Sequence, residues 1–313
     1  MSPLNPDRVE LELRGYSERG MVNTLLHEIR YGTHPIEKLR GVLGLCEFPD
    51  PHQRPDFTLF RAAKVRVEQS FSDFGDLDVF VLLDGPSRQS VFIEAKVKTF
   101  QTRQWRIAAE WTAFTEMLRK RELPGSNLFV QLYRKMQLVR KAPSPNAVIP
   151  PDGVAQRWSL GENGVVQRAA AELAPYCGEP WFVALVPDTR ENVETCYSEA
   201  DRYRHKELPS WGTERWGYML WRDLETYCRR SPTDWPETLA GFEYNQGQIF
   251  DDGPTGPGTP DRPPPPGSAV TWTDGPHGPV KAVVVRRGTH RTRVRLTDGR
   301  EVVVPHGELE WAR

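Results

Sequence analysis

Two apolar, β-prone runs, Leu77 to Leu83 and Ser90 to Val97, flank the turn sequence Asp84-Gly85-Pro86-Ser87, a pattern that predicts an antiparallel hairpin. Side chains alternate faces along a strand. In the second run Ile93, Ala95 and Val97 therefore share one face, while Glu94 and Lys96 share the other. In the first run Val79, Val81 and Leu83 line one face, leaving Asp78 on the other with Phe80 and Leu82. Pairing of the two strands brings Asp78 to Glu94, so that two carboxylates and an amine converge on an otherwise apolar surface. Buried charge is costly unless it is paired or holds a metal, so this juxtaposition demands a chemical explanation.

The flanking sequence supplies more elements. From Ser17 to Tyr31, Met21, Val22, Leu25, Leu26 and Ile29 recur at helical spacing, with Ser17 suited to cap the start and Gly32 the end. A strand is expected at Lys64 to Gln69. Ile107, Trp111, Phe114 and Leu118 mark a helix from about Thr102 to Arg121, and Asn127 to Tyr133 reads as a strand. The order is α, β, β, β, α, β. After a proline-rich loop (Pro143 to Pro151), further strands are expected at Trp181 to Val186 and Trp216 to Leu220, and a helix at Arg222 to Arg229. The Pro/Gly-rich stretch 251–267 cannot bury a core and is expected to be a linker between a domain at 1–250 and a small one at 268–313. Short β-prone runs at Val280 to Arg286, Thr292 to Leu296 and Glu301 to Val304 predict a small all-β barrel.

Whole-chain charge is uninformative: 41 Lys+Arg stand against 42 Asp+Glu in 313 residues. Its distribution says more. Between Lys96 and Lys141 eleven basic residues face three acidic ones, an excess that suits a phosphate backbone unless it is an ordinary solvated helix face. The terminal segment 268–313 is also weakly basic.

With helix, hairpin, Asp78, Glu94-Ala95-Lys96, basic helix and strand in this order, residues from about 17 to 133 resemble the PD-(D/E)XK nuclease superfamily. The resemblance implies an α/β fold: a restriction-endonuclease-like αβββαβ core with a mixed sheet flanked by helices, here followed by a small C-terminal SH3-like all-β barrel. It implies metal-dependent phosphodiester hydrolysis, with Asp78 and Glu94 binding Mg²⁺ or Mn²⁺ and Lys96 beside the attacking water. Many members place a Glu near the start of the first helix, and Glu18, at the head of the apolar stripe, matches it. The proline of the family name is absent, Leu77 standing before Asp78. Asp76 competes with Asp78 for the metal, but Gly75-Asp76 reads as turn chemistry and Asp78 is favoured. Lys98, Arg103, Gln104 and Arg106 are candidate nucleic-acid contacts. DNA is expected ahead of RNA as substrate, in restriction, phage defence or repair, with a second copy or a defence-system protein as further partner. The rival reading is a nuclease-fold module that binds nucleic acid or protein without cutting.

No other chemistry competes. His27, His34, His52 and His205 lack HxH or HExxH spacing, and no Gly-x-Ser-x-Gly or Walker pattern occurs. Cys46, Cys177, Cys196 and Cys228 have no zinc-ligand spacing. The start carries no signal-peptide-like apolar core and no long apolar run follows, so a cytoplasmic protein that does not engage a membrane is expected.

Overall fold

The computed structural model describes residues 17–49, 55–98, 105–120, 126–143, 158–207, 215–249, 269–272, 279–287, 291–305 and 309–310. The chain divides into two compact units, 1–249 and 250–313. The first is α/β. Helices α1 (Ser17–Tyr31) and α2 (Pro35–Leu43) precede strands β1 (Ala62–Ser70), β2 (Asp76–Asp84) and β3 (Arg88–Ala95). Three helices follow, α3 (Ile107–Lys120), α4 (Leu128–Lys141) and α5 (Gly164–Leu173), then β4 (Glu179–Val186), α6 (Arg190–Glu207), β5 (Trp216–Leu220), α7 (Trp221–Arg229) and α8 (Pro236–Ile249).

The five strands lie in sequence order, β1 to β3 antiparallel and β3 to β5 parallel. Hairpins need only short turns, whereas parallel neighbours need a long return, and the helices between β3, β4 and β5 supply it. Strands β3, β4 and β5 are buried along nearly their whole length, as expected of strands covered on both faces. One face carries Phe80, Leu82, Phe92, Phe182, Ala184, Trp216 and Tyr218, which join the main core with buried residues of α3, α4, α5 and α6. Val79, Val81, Val91, Ile93 and Val183, on the opposite face, are buried as well, and α1 packs against β2, β3, α2 and α8.

The strand expected at Asn127 to Tyr133 is instead the start of α4. The Asn127 side chain accepts from Val130 N–H at 3.1 Å, and the Glu110 carboxylate accepts from Leu128 N–H at 2.7 Å, so α3 helps to cap α4. Leu128, Phe129, Val130, Leu132, Tyr133, Met136 and Leu138 are all buried. A helix buried around most of its circumference loses the one-sided periodicity by which helices are recognised, and its β-prone residues mislead.

The second unit is a separate antiparallel sheet in the order β10-β6-β7-β8-β9: β6 (Ala269–Trp272), β7 (Val280–Arg287), β8 (Arg291–Leu296), β9 (Glu301–Pro305) and β10 (Leu309–Glu310). Val270, Ala282, Val284, Val294, Leu296 and Val304 form its core. Among the described residues its outer strands β9 and β10 do not pair, so the sheet is open where a closed barrel was expected. The stretch read as a linker lies outside the described residues. No described helix is long and apolar enough to cross a membrane.

Candidate active site

Arg88 pairs with Asp84 across the short turn, and the antiparallel register continues to Val79 opposite Ile93. One step further places Asp78 across from Glu94, where the hairpin opens and Asp78 Oδ2 accepts from Ala95 N–H at 2.8 Å. Glu94, fully buried at 0% exposure, lies on the helix-covered face two residues beyond Phe92. Neither of its carboxylate oxygens receives a hydrogen bond among the described residues. Burial pushes its carboxyl well above the ordinary range, the nearby Asp78 charge pushes the same way, and Lys135 and Lys96 oppose both.

Lys96 follows the last residue of β3. Its N–H continues the ladder to Leu185 O at 2.8 Å, and its C=O accepts from the indole N–H of Trp221, also at 2.8 Å. The backbone that aims this side chain is therefore held from both sides, while the side chain is only half-buried. Trp221→Phe keeps an aromatic ring and leaves a carbonyl without its donor. We expect it to lower unfolding free energy in urea by roughly 1 to 3 kcal/mol, and an unchanged value would show that this clamp carries no load.

Glu18, the second residue of α1, accepts from Val97 N–H and lies in the fields of Lys96 and Asp78. Burial raises its carboxyl pKa, Lys96 pulls it down, and Asp78 raises it. Glu18, Asp78, Glu94 and Lys96 are thus brought together. Asp76 is exposed at the start of β2, whereas Asp78 is half-buried, and the backbone carbonyl of Asp76 accepts from Lys135 at 2.8 Å.

The nucleic-acid candidates fare differently. Lys98 is buried at 6% exposure, so it is not a surface lysine presented to phosphate. Arg106 forms an ion pair with Asp188 at 3.6 Å, and Asp188 also accepts from Ile107 N–H at 2.9 Å, so together they fasten the start of α3. Arg103 and Gln104 lie outside the described residues. Lys135 and Lys141, counted in the basic stretch, are buried as well, which removes them from any surface charge.

Lys135 is the participant that sequence reasoning missed. Its ammonium, at 0% exposure, reaches from α4 to donate to Phe74 O at 2.7 Å and Asp76 O at 2.8 Å, and stands 3.5 Å from Glu94 Oε1. Burial pulls its pKa down and the Glu94 charge holds it up. A lysine in a stretch read as a strand followed by charged surface offered no signal of this contact.

A cation would find few protein ligands here: no group of three or more His, Cys, Asp or Glu among the described residues could hold a metal ion. A closed cage of protein ligands is therefore not what these residues form. Two facing carboxylates, one with both oxygens unsatisfied, fit the way Mg²⁺ binds, through one or two carboxylates with water and phosphate completing the shell. Comparison with protein-family models, curated proteins and solved structures finds no match.

Proposed function

We propose that the first unit is a divalent-cation-dependent phosphodiesterase acting on nucleic acid, DNA ahead of RNA. One observation carries the reading: Asp78 and Glu94 face each other at the open end of a hairpin, with Glu94 receiving no hydrogen bond among the described residues, only the 3.5 Å approach of Lys135, and Lys96 nearby. In this reading Asp78 and Glu94 hold Mg²⁺ or Mn²⁺. When bound, the cation supplies Lewis-acid polarisation of the phosphate and a water of lowered pKa. Lys96, aimed by its clamped backbone, offsets negative charge developing on the phosphate oxygens. Glu18 lies in the field of Lys96 and offsets its charge.

Three antiparallel strands after a helical start, followed by a strand parallel to β3, support a restriction-endonuclease-like core, although two helices lead and three helices, α4 among them where a strand was expected, make the return. The second unit, an open antiparallel sheet among the described residues, is proposed as a module for nucleic acid or a partner protein, and restriction, phage defence or repair as the setting.

The test is incubation of the purified protein with plasmid, linear and single-stranded DNA and with RNA, in Mg²⁺ or in EDTA. Cleavage in Mg²⁺ alone is expected. Binding without cleavage at any Mg²⁺ or Mn²⁺ concentration would instead support a module that holds nucleic acid without cutting it. A specific observation favours this second reading: Lys135 already brings a positive charge to Glu94.

A further inference from the structure

We propose that Lys135 is a resident counter-ion, a positioning residue that keeps the Asp78 and Glu94 pair assembled before a divalent cation arrives and gives up its hold on Glu94 when one does. The inference rests on the cation site proposed above and adds how that site is kept ready. A lysine ammonium has three protons to donate. Two are spent on Phe74 O and Asp76 O, at 2.7 and 2.8 Å, in the turn that opens β2. The remaining approach, 3.5 Å to Glu94 Oε1, is longer than a good hydrogen bond. Lys135 is thus anchored by the backbone and only leans on the carboxylate. Its attachment survives if Glu94 turns to another cation, while its charge offsets Glu94 when none is present.

The turn is shaped to this ammonium. Gly75, between the two accepting residues, has φ of +78°, and a Cβ there would lie 3.3 Å from Lys135 Nζ, so both conformation and space call for glycine. Asp76 is two residues before Asp78, so the same ammonium that faces Glu94 also fixes the start of the strand carrying its partner. Lysines are almost never fully buried unless paired, and Glu94 is the carboxylate that stands within ion-pair distance of this one among the described residues. Without Lys135, fully buried Glu94 and half-buried Asp78 would repel with only Lys96 to offset them.

The experiment compares the full chain with Glu94→Gln, Lys135→Met and the double variant by thermal melting in EDTA and across a Mg²⁺ titration, with DNA cleavage followed in parallel. In EDTA each single variant should melt several degrees lower, and the double variant should lose clearly less than the two losses added together, because it removes both charges at once. Mg²⁺ should raise the melting temperature of Lys135→Met with a midpoint about tenfold lower than for the unchanged protein, because no ammonium competes, and the double variant should not respond. A lysine that only packs would lower the melting temperature equally at every Mg²⁺ concentration. Additive losses in EDTA, or a Mg²⁺ midpoint for Lys135→Met equal to that of the unchanged protein, overturn the proposal. If the unchanged protein cleaves DNA in Mg²⁺ under that result, the counter-ion role alone has failed. If no variant responds to Mg²⁺ and nothing is cleaved, the cation site has failed with it. Should Lys135→Met not fold, the double variant still decides: recovery of a cooperative melt supports the pairing, and failure to recover one rejects it.

Discussion

Glu94→Gln should remove Mg²⁺-dependent cleavage, by roughly 10²-fold or more, while leaving a cooperatively folded protein. Glutamine keeps the side-chain shape, can place an amide oxygen toward Lys135 and an N–H toward Asp78, and so keeps the fold, although the lost anion lowers the melting temperature by several degrees. Alanine is the poorer choice. It would leave the Lys135 ammonium, at 0% exposure, with neither an anion nor an amide oxygen beside it, and removing one partner of a buried pair outright costs about 3 to 5 kcal/mol. Lost activity in Glu94→Ala would then report unfolding as much as chemistry. Lys96→Met provides the complementary result. Its side chain is only half-buried, so the melting temperature should hold while cleavage falls by a comparable factor and the Mg²⁺ midpoint stays near its original value. Cleavage rates against Mg²⁺, with melting curves in EDTA, check all three. Full activity in Glu94→Gln would remove the basis for assigning hydrolysis to this hairpin.

The second large effect is on stability. Phe92 lies in an aromatic stack that crosses three strands, with ring centroids 5.3 Å from Phe80 on β2 and 5.2 Å from Phe182 on β4. All three rings are buried, Phe92 at 0%. Phe92→Ala deletes the middle ring, and the neighbouring strands are tied by ladder hydrogen bonds that resist collapse into the void. The expected loss is about 3 to 5 kcal/mol, a large part of the 5 to 15 kcal/mol that usually holds a domain together. Urea unfolding followed by tryptophan fluorescence measures it. A loss below about 1 kcal/mol would mean that the sheet relaxes around the gap. Because Glu94 is two residues along the same face, Phe92→Ala should also impair any activity of the pair, and Phe92→Leu should restore much of both.

The hairpin and the facing of Asp78 and Glu94 were legible because both depend on neighbours in sequence. A turn at Gly85-Pro86-Ser87 sets the register, and a period of two then fixes that Asp78 and Glu94 share a face across adjacent strands. Helix α1 was readable in the same way: its apolar stripe marks Ser17 to Tyr31, and Gly32 closes it by donating to Glu28 O at 3.0 Å. The helical character of 128–141 was hidden because that segment is buried on almost every side. Helix α6 gave too little apolar contrast to be placed.

Local pattern thus determined which residues of β2 and β3 meet, since hydrogen-bond register and side-chain alternation operate over a few residues. Tertiary structure alone decided the electrostatics around them. Whether a lysine is a surface charge or a buried counter-ion depends on which helix packs over the sheet, and Lys135 comes to Glu94 from forty-one positions away in the chain. Lys98, Lys135 and Lys141 look alike in sequence to any solvated lysine, and only the packing of α4 and the end of β3 takes them out of water.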